Sequence, residues 1–336
     1  MQARQMNLND IDEMADDVAE ILIEEMESVV HRQPYIKSLL RWYGAKFKLR
    51  GWLYSLMPPL HNKTYVEVFG GSLAMLPLIH EEAPNIVVND LDKILYNLYR
   101  VVQDPDKFRA FHRMVVASLY SRAMFIDAID IINGQKDADE VTLAWATFIG
   151  HNCGFSGRAE NHGNFAKTNN YKYARINIAI YNGFVSSMRE WHRILSRCFI
   201  ECRDAIDLIE EYDSESTFFY LDPPYADGTD RNMNIEYRVE QDLSFHETLV
   251  NKLLEINGMA MLSGYDTPVY DRLVENGWNV YRKQTYASSA NKKITTGSAL
   301  RRTEVVWTNY ELEETLPLFS GKVLHQEDEE WYNEDA

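Results

Sequence analysis

The chain has 336 residues, 46% of them hydrophobic and 25% charged, the balance of a folded globular protein and not of a disordered one. No window of about 18 residues is apolar throughout, and the N-terminus MQARQMNLNDIDEMADD lacks the apolar core of a secretory signal. A membrane protein and a secreted one are therefore set aside in favour of the cytoplasm. The net charge of −17 argues against a nucleic-acid partner only until it is mapped along the chain. Residues 1–33 hold nine acids and two bases, and residues 311–336 hold nine acids and one base. The stretch between them carries 33 acids and 31 bases, which leaves room for a local basic face. Three cysteines, Cys153, Cys198 and Cys202, without a paired ligand motif, read as free thiols and predict no metal site.

Residues 1–33 form the first unit. Leu8, Ile11, Ala15, Val18, Leu22 and Val29 fall at heptad spacing between acidic residues, with Glu25 on the same seam. An acidic amphipathic helix follows, packed on its own domain or paired with a second copy or a partner through residues 8–30. From about residue 34 the texture changes. TYVEVF (64–69) and NIVVND (85–90) are short β-rich runs, each followed by a helical stretch, the first over 73–80. Residues 105–150 have helical periodicity. Residues 151–175 are polar, basic and rich in Gly and Asn, and read as an exposed loop or irregular hairpin; 176–196 is helical again. Strands resume at CFIEC (198–202), STFFYLD (216–222) and GMAMLSGY (258–265), with a helix around 243–256 between the last two. GWNVYRKQTY (277–286) and RTEVVWTNY (302–310) close the pattern as a strand pair, and an acidic tail follows from 311. The expected fold is α/β: a Rossmann-like sheet interrupted by a helical insertion of residues 105–195. The catalytic domain would comprise 34–104 plus 196–310.

Four short motifs carry chemistry. Asp222-Pro223-Pro224-Tyr225 follows an apolar strand, and active sites of open α/β sheets gather at the carboxyl ends of strands. The prolines stiffen an extended backbone. A carboxylate and a carbonyl held there can accept both hydrogens of an exocyclic amine, and a tyrosine ring can stack on a planar base. Glu67-Val68-Phe69-Gly70-Gly71-Ser72 lies at the first strand-to-helix turn, where glycines admit a ligand close to the backbone. Asp90 ends the next strand and reads either as a helix N-cap or as the acid that binds a ribose. The Gly turn and the acid together predict an adenosine-type cofactor. Arg41-Trp42-Tyr43-Gly44-Ala45-Lys46 precedes them, its lysine placed to meet a carboxylate and its tryptophan to line a pocket.

The set RWYGAK, YVEVFGG, NDLD and FYLDPPY, in that order, resembles the Dam-type DNA adenine-N6 methyltransferase family, its phage-like members above all. The likeness spans about residues 35–310, and the order of motifs around the insertion is similar to the family's α arrangement. The resemblance implies S-adenosyl-L-methionine as methyl donor, no metal, double-stranded DNA as partner, and a Rossmann-like methyltransferase sheet with an inserted DNA-recognition domain. It implies catalysis by Asp222, Pro223, Pro224 and Tyr225. Cofactor contacts would come from Trp42, Lys46, Glu67, Phe69, Gly70, Gly71, Asp90 and Asp204. NCGFSGRAENHGNF (152–165) resembles the family's DNA-recognition hairpin, which puts Phe155, Arg158, Asn161 and the nearby Lys167 against DNA, with Gly157 and Gly163 in matching places. The sequence departs where many members have Pro for Val68 and Gly for Leu73, and where Ala166-Lys167-Thr168 replaces the usual Val-Pro-Phe-Gly. The implied reaction moves a methyl group to N6 of a flipped adenine. The alternatives are methyl transfer to RNA adenine or a protein amide, or a DNA-binding protein without catalysis.

Overall fold

The computed structural model describes residues 36–42, 46–159, 161–167, 171–224, 242–286 and 301–312. Residues 37–336 make one unit and residues 1–36 another. The expected helix at 8–30, the acidic tail beyond 312, and Tyr225 lie outside the described residues.

Seven strands form one sheet: β1 (Thr64–Glu67), β2 (Asn85–Asn89), β3 (Cys198–Glu201), β4 (Thr217–Leu221), β5 (Met259–Tyr265), β6 (Asn279–Tyr286) and β7 (Arg301–Thr308), in the order β3-β2-β1-β4-β5-β7-β6. The first five run parallel, and β7 pairs antiparallel with both β5 and β6. This is the doubly wound order 3-2-1-4-5 with an antiparallel pair at one edge. The central strands are apolar because helices cover both faces. All five residues of β4 are buried.

The helices are α1 (Arg50–Ser55), α2 (Leu76–Ile79), α3 (Lys93–Gln103), α4 (Pro105–Ala117), α5 (Arg122–Ile132), α6 (Glu140–Cys153), α7 (Tyr171–Leu195), α8 (Ala205–Tyr212), α9 (Leu243–Leu253) and α10 (Asp271–Glu275). Aspartates open five of them. Asp92, Asp104, Asp139, Asp204 and Asp242 accept hydrogen bonds from the first-turn amides of α3, α4, α6, α8 and α9. Predicted helix 73–80 shrinks to α2, because Gly71 and Leu73 take φ of +51° and +53°, outside the helical region.

The predicted insertion is helical. Helix α3 crosses back from β2, α6 packs against both α3 and α5, and Phe111, Phe125 and Phe148 fill the space between helices with their side chains fully buried. The chain is stitched where it returns to the sheet. Gln103 donates to the carbonyls of Leu195 and Cys198, and the His192 ring stacks on Phe108 at 4.4 Å.

Residues 151–175 depart from a simple exposed loop. Helix α6 runs on to Cys153, and α7 begins at Tyr171. Between them two 3₁₀ turns, Phe155–Gly157 and His162–Asn164, are joined by an antiparallel bridge from Gly154 to Phe165. It is a hairpin, but Gly154, Gly157, Ala159 and Ala166 are buried. The reason lies at Gly157, whose φ is +77° and where a Cβ would stand 2.3 Å from the Arg41 carbonyl oxygen. The hairpin is seated on the segment that precedes Lys46.

Candidate active site

The carboxyl ends of β1, β2, β4 and β5 meet along one edge of the sheet, and the candidate residues gather there. Asp222 follows β4 directly. The register that pairs Leu221 with Leu262 carries on to set Asp222 beside Ser263. Lys46, in the 3₁₀ turn Lys46–Lys48, reaches Asp222 Oδ1 at 2.7 Å with its own side chain only 4% exposed, and Glu304 Oε2 lies 3.9 Å from the same ammonium. The Ser263 hydroxyl donates to the same Oδ1 at 3.0 Å. Among the described residues, both partners of Asp222 bind Oδ1. Pro223 is buried and Pro224 half-buried. Sequence reading placed Lys46 by the cofactor and allowed it a carboxylate partner; the structure supplies that partner as Asp222.

The glycine turn is held from several sides. Gly70 N–H donates to the Asn89 carbonyl at 2.7 Å, Gly71 N–H to Asp90 Oδ2 at 2.8 Å, and the Tyr99 hydroxyl to the Gly71 carbonyl at 2.6 Å. A Cβ on Gly70 would stand 2.9 Å from that hydroxyl and 3.0 Å from the Asn89 carbonyl oxygen, so a larger residue would have to displace its neighbours. Next along, Leu73 is buried in the left-handed region, with a φ of +53°. Such a backbone costs a side-chain-bearing residue about 1–2 kcal/mol. Trp42 lies against Gly71, its Nε1 3.4 Å from where a Cβ would be, and its ring also meets His151 at 4.8 Å. Phe69 packs edge-on against Phe245.

Two carboxyl groups here are perturbed. Glu67 is buried at the end of β1, accepts a hydrogen bond from the Tyr65 hydroxyl at 3.0 Å, and is pushed up to about 8 by burial, with Asp222 and Asp90 adding negative charge nearby. Asp90 is raised to about 6 by burial, against the hydrogen bonds from Gly71 and Asp92 that hold it down. Sequence left Asp90 between capping and ribose binding. The structure gives the cap of α3 to Asp92, whose side chain accepts from Ile94 N–H, and leaves Asp90 at the glycine turn. Asp204 caps α8 through Ile206 N–H. Cys153 and Cys198 are driven up to about 12 by burial, which leaves them poor nucleophiles.

The hairpin candidates separate from this cluster. Phe155 is 59% exposed, Asn161 and Lys167 are exposed, and Arg158 is half-buried. Asn161 accepts from Gly163 N–H and so shapes its own turn. One route joins the hairpin to the glycine turn: His151 contacts the Gly157 carbonyl at 2.7 Å and the ring of Trp42, which lies on Gly71. Helix α7 includes Lys172 and Arg175, and β7 includes Arg301 and Arg302, whose side chains are outside the described residues.

Sequence reasoning missed two residues. Asn89 is 1% exposed and clasps three strand ends, donating to the Val68 and Arg203 carbonyls and accepting from Arg203 N–H. Ser263 is the other. Each is a polar residue closing or interrupting an apolar run, which is the signal that marks them. Among the described residues, no group of three or more His, Cys, Asp or Glu is arranged to hold a metal ion, and no helix is long and apolar enough to cross a membrane.

Residues 42–287 match the profile of the D12 class N6 adenine-specific DNA methyltransferases. Type II methyltransferase M.MjaIII of Methanocaldococcus jannaschii is 25% identical over 211 residues, covering 56% of this chain and 69% of that protein. A crystal structure of a provisionally described RNA methyltransferase from Pyrococcus horikoshii aligns over 85% of this chain and 96% of its own, with 11% identity and a TM-score of 0.35. The family match spans most of the chain, and its range includes the glycine turn and the Asp-Pro-Pro-Tyr motif. The chain belongs to the D12 class of N6 adenine-specific DNA methyltransferases.

Proposed function

We propose that the protein moves a methyl group from S-adenosylmethionine to N6 of an adenine flipped out of duplex DNA, with residues 105–195 reading the target and 34–104 plus 196–310 carrying the chemistry. The observation that carries this reading is the fixed carboxylate of Asp222, held through one oxygen by Lys46 and Ser263 at the end of a buried strand.

The donor set fits S-adenosylmethionine. Glu67 and Asp90 are carboxyl groups raised by burial and by acidic neighbours, a setting that a cationic ligand relieves. Asp90 retains lone pairs beyond those taken by Gly71 and Asp92, which suits ribose hydroxyls. Trp42, Phe69 and the Gly70–Gly71 backbone supply flat and open surface beside it, and Asp204 stands at the next strand end for the adenine. S-adenosylmethionine supplies an electrophilic methyl group on a sulfonium.

The rest belongs to the chain. The exocyclic amine of a stacked adenine is out of reach, so the base must leave the duplex. Oδ2 of Asp222 and the Pro223 carbonyl accept its two N6 hydrogens, which sharpens the nitrogen lone pair. Tyr225 stacks on the base. N6 forms its bond to the methyl carbon as the carbon–sulfur bond breaks, and the extra N6 proton leaves to Asp222 or to water. Positioning and electrostatics carry the rate. Phe155, Arg158, Asn161 and Lys167 meet DNA from the hairpin, with Arg158 reading a guanine edge.

The test is direct. Purified protein is incubated with duplex DNA and methyl-labelled S-adenosylmethionine, and the DNA is digested to nucleosides. Label in N6-methyl-2′-deoxyadenosine supports the reading. Label only in RNA or protein offered in parallel overturns it.

A further inference from the structure

We propose that Ser263 is a positioning residue for the catalytic carboxylate: its hydroxyl, together with Lys46, fixes Asp222 through Oδ1 and so presents Oδ2 to the exocyclic amine. The inference rests on the assignment of Asp222 proposed above and adds a residue from a different strand.

The placement follows from the sheet. Parallel register sets β5 one step beside β4, so the residue after Leu262 faces the residue after Leu221. Ser263 is 1% exposed and stands in the run Met-Ala-Met-Leu-Ser-Gly-Tyr, where packing alone would favour another apolar side chain. Its Oγ lies 3.0 Å from Asp222 Oδ1, 3.3 Å from the Leu221 carbonyl and 3.4 Å from the Tyr220 hydroxyl. A hydroxyl has one proton to give. The nearest acceptor is the carboxylate, and a hydrogen bond to a charged group is the stronger. Tyr220 then donates to Ser263, since its phenol is held well above its ordinary range by burial and keeps its proton. The chain of donors therefore runs from Tyr220 to Ser263 to Asp222.

Geometry shows why a second donor matters. Lys46 sits between two carboxylates, Asp222 at 2.7 Å and Glu304 at 3.9 Å. A point charge on a flexible stem sets distance but little orientation. The Ser263 hydroxyl comes from the rigid sheet, and two donors on one oxygen fix the carboxylate plane. Without it, Asp222 can turn about its side-chain bond and spend time with the wrong oxygen toward the base.

The test compares Ser263→Ala, Ser263→Thr and Ser263→Val with the wild type and Asp222→Ala. Thr and Val have the same shape and differ in the hydroxyl. For Ser263→Ala, kcat is expected to fall about 10- to 100-fold, the factor that one charge-assisted hydrogen bond carries, while KM for S-adenosylmethionine and DNA stays within about threefold. Ser263→Thr is expected to exceed Ser263→Val in kcat by about tenfold or more. S-adenosylhomocysteine binding by calorimetry reports that each variant is folded, and Ser263→Ala decides alone if the two larger residues do not bind it. Ser263→Ala within about twofold of wild-type kcat, or equal kcat for folded Thr and Val variants, overturns the role. Asp222→Ala separates the two claims. Turnover retained in Asp222→Ala defeats the assignment of Asp222 itself, whereas a dead Asp222→Ala beside an unaffected Ser263 series defeats only this inference.

Discussion

Replacing Glu67 by glutamine is expected to stabilise the protein, and increasingly so as pH rises. Glu67 is buried at the end of β1, and its carboxyl is pushed from 4.5 to about 8, chiefly by desolvation. Between these two values the folded chain holds a proton that the unfolded chain has lost. Stability is therefore intact below 4.5, declines across the window, and has lost this contribution by about 8. The slope is about 1.4 kcal/mol per pH unit, or at most roughly 4 kcal/mol between about pH 5 and pH 8. Glutamine keeps the shape and still accepts from the Tyr65 hydroxyl, but it does not titrate. Urea unfolding followed by tryptophan fluorescence, on both proteins across that range, gives the difference directly. The gap in unfolding free energy should widen toward high pH in favour of Glu67→Gln. Parallel curves, differing by less than about 0.5 kcal/mol over the range, refute the buried-carboxyl argument.

Other expectations follow from the same geometry. Asp222→Ala should abolish methyl transfer while S-adenosylmethionine still binds; turnover within about tenfold of wild type contradicts this. Asp90→Ala should weaken S-adenosylmethionine binding about 10- to 100-fold. Wild-type affinity should fall as pH drops through about 6, where Asp90 takes up its proton; calorimetry showing a flat profile argues against a ribose role. Gly157→Ala puts a Cβ 2.3 Å from the Arg41 carbonyl at a φ of +77°, and should lower stability by about 2 kcal/mol or more; an unchanged melting temperature would show that the hairpin seat yields. Arg158→Ala, assayed on a panel of altered sites, should relax preference at one base pair by about 1–3 kcal/mol, and an unchanged preference removes it from recognition.

Much of the fold was legible because its strands are buried on both faces. Runs such as TFFYL and NIVVN need no tertiary context to be read as strands. The site's main elements were legible for a related reason: each lies at the end of such a run, where a doubly wound sheet exposes it. What escaped depends on registers between distant segments. Ser263 meets Asp222 across 41 positions of sequence, and Asn89 meets Arg203 across 114. No local pattern encodes either pairing. The hairpin was half legible. Its glycines and asparagines announce turns, but the burial of Gly157 is decided by the backbone of Arg41, far earlier in the chain. Helix α2 was overextended because Leu73 has helical propensity, while the turn it occupies imposes a left-handed backbone.

The measurement that bears most directly on the whole account is made in cells. The protein and its Asp222→Ala variant are expressed in a strain without adenine methylation, and genomic DNA is sequenced by a method that reads N6-methyladenine directly. The account predicts modified adenines in a fixed sequence context with the wild type and none with Asp222→Ala. Unmodified DNA from cells that hold folded wild-type protein able to bind S-adenosylmethionine, or equal modification by both proteins, would contradict it.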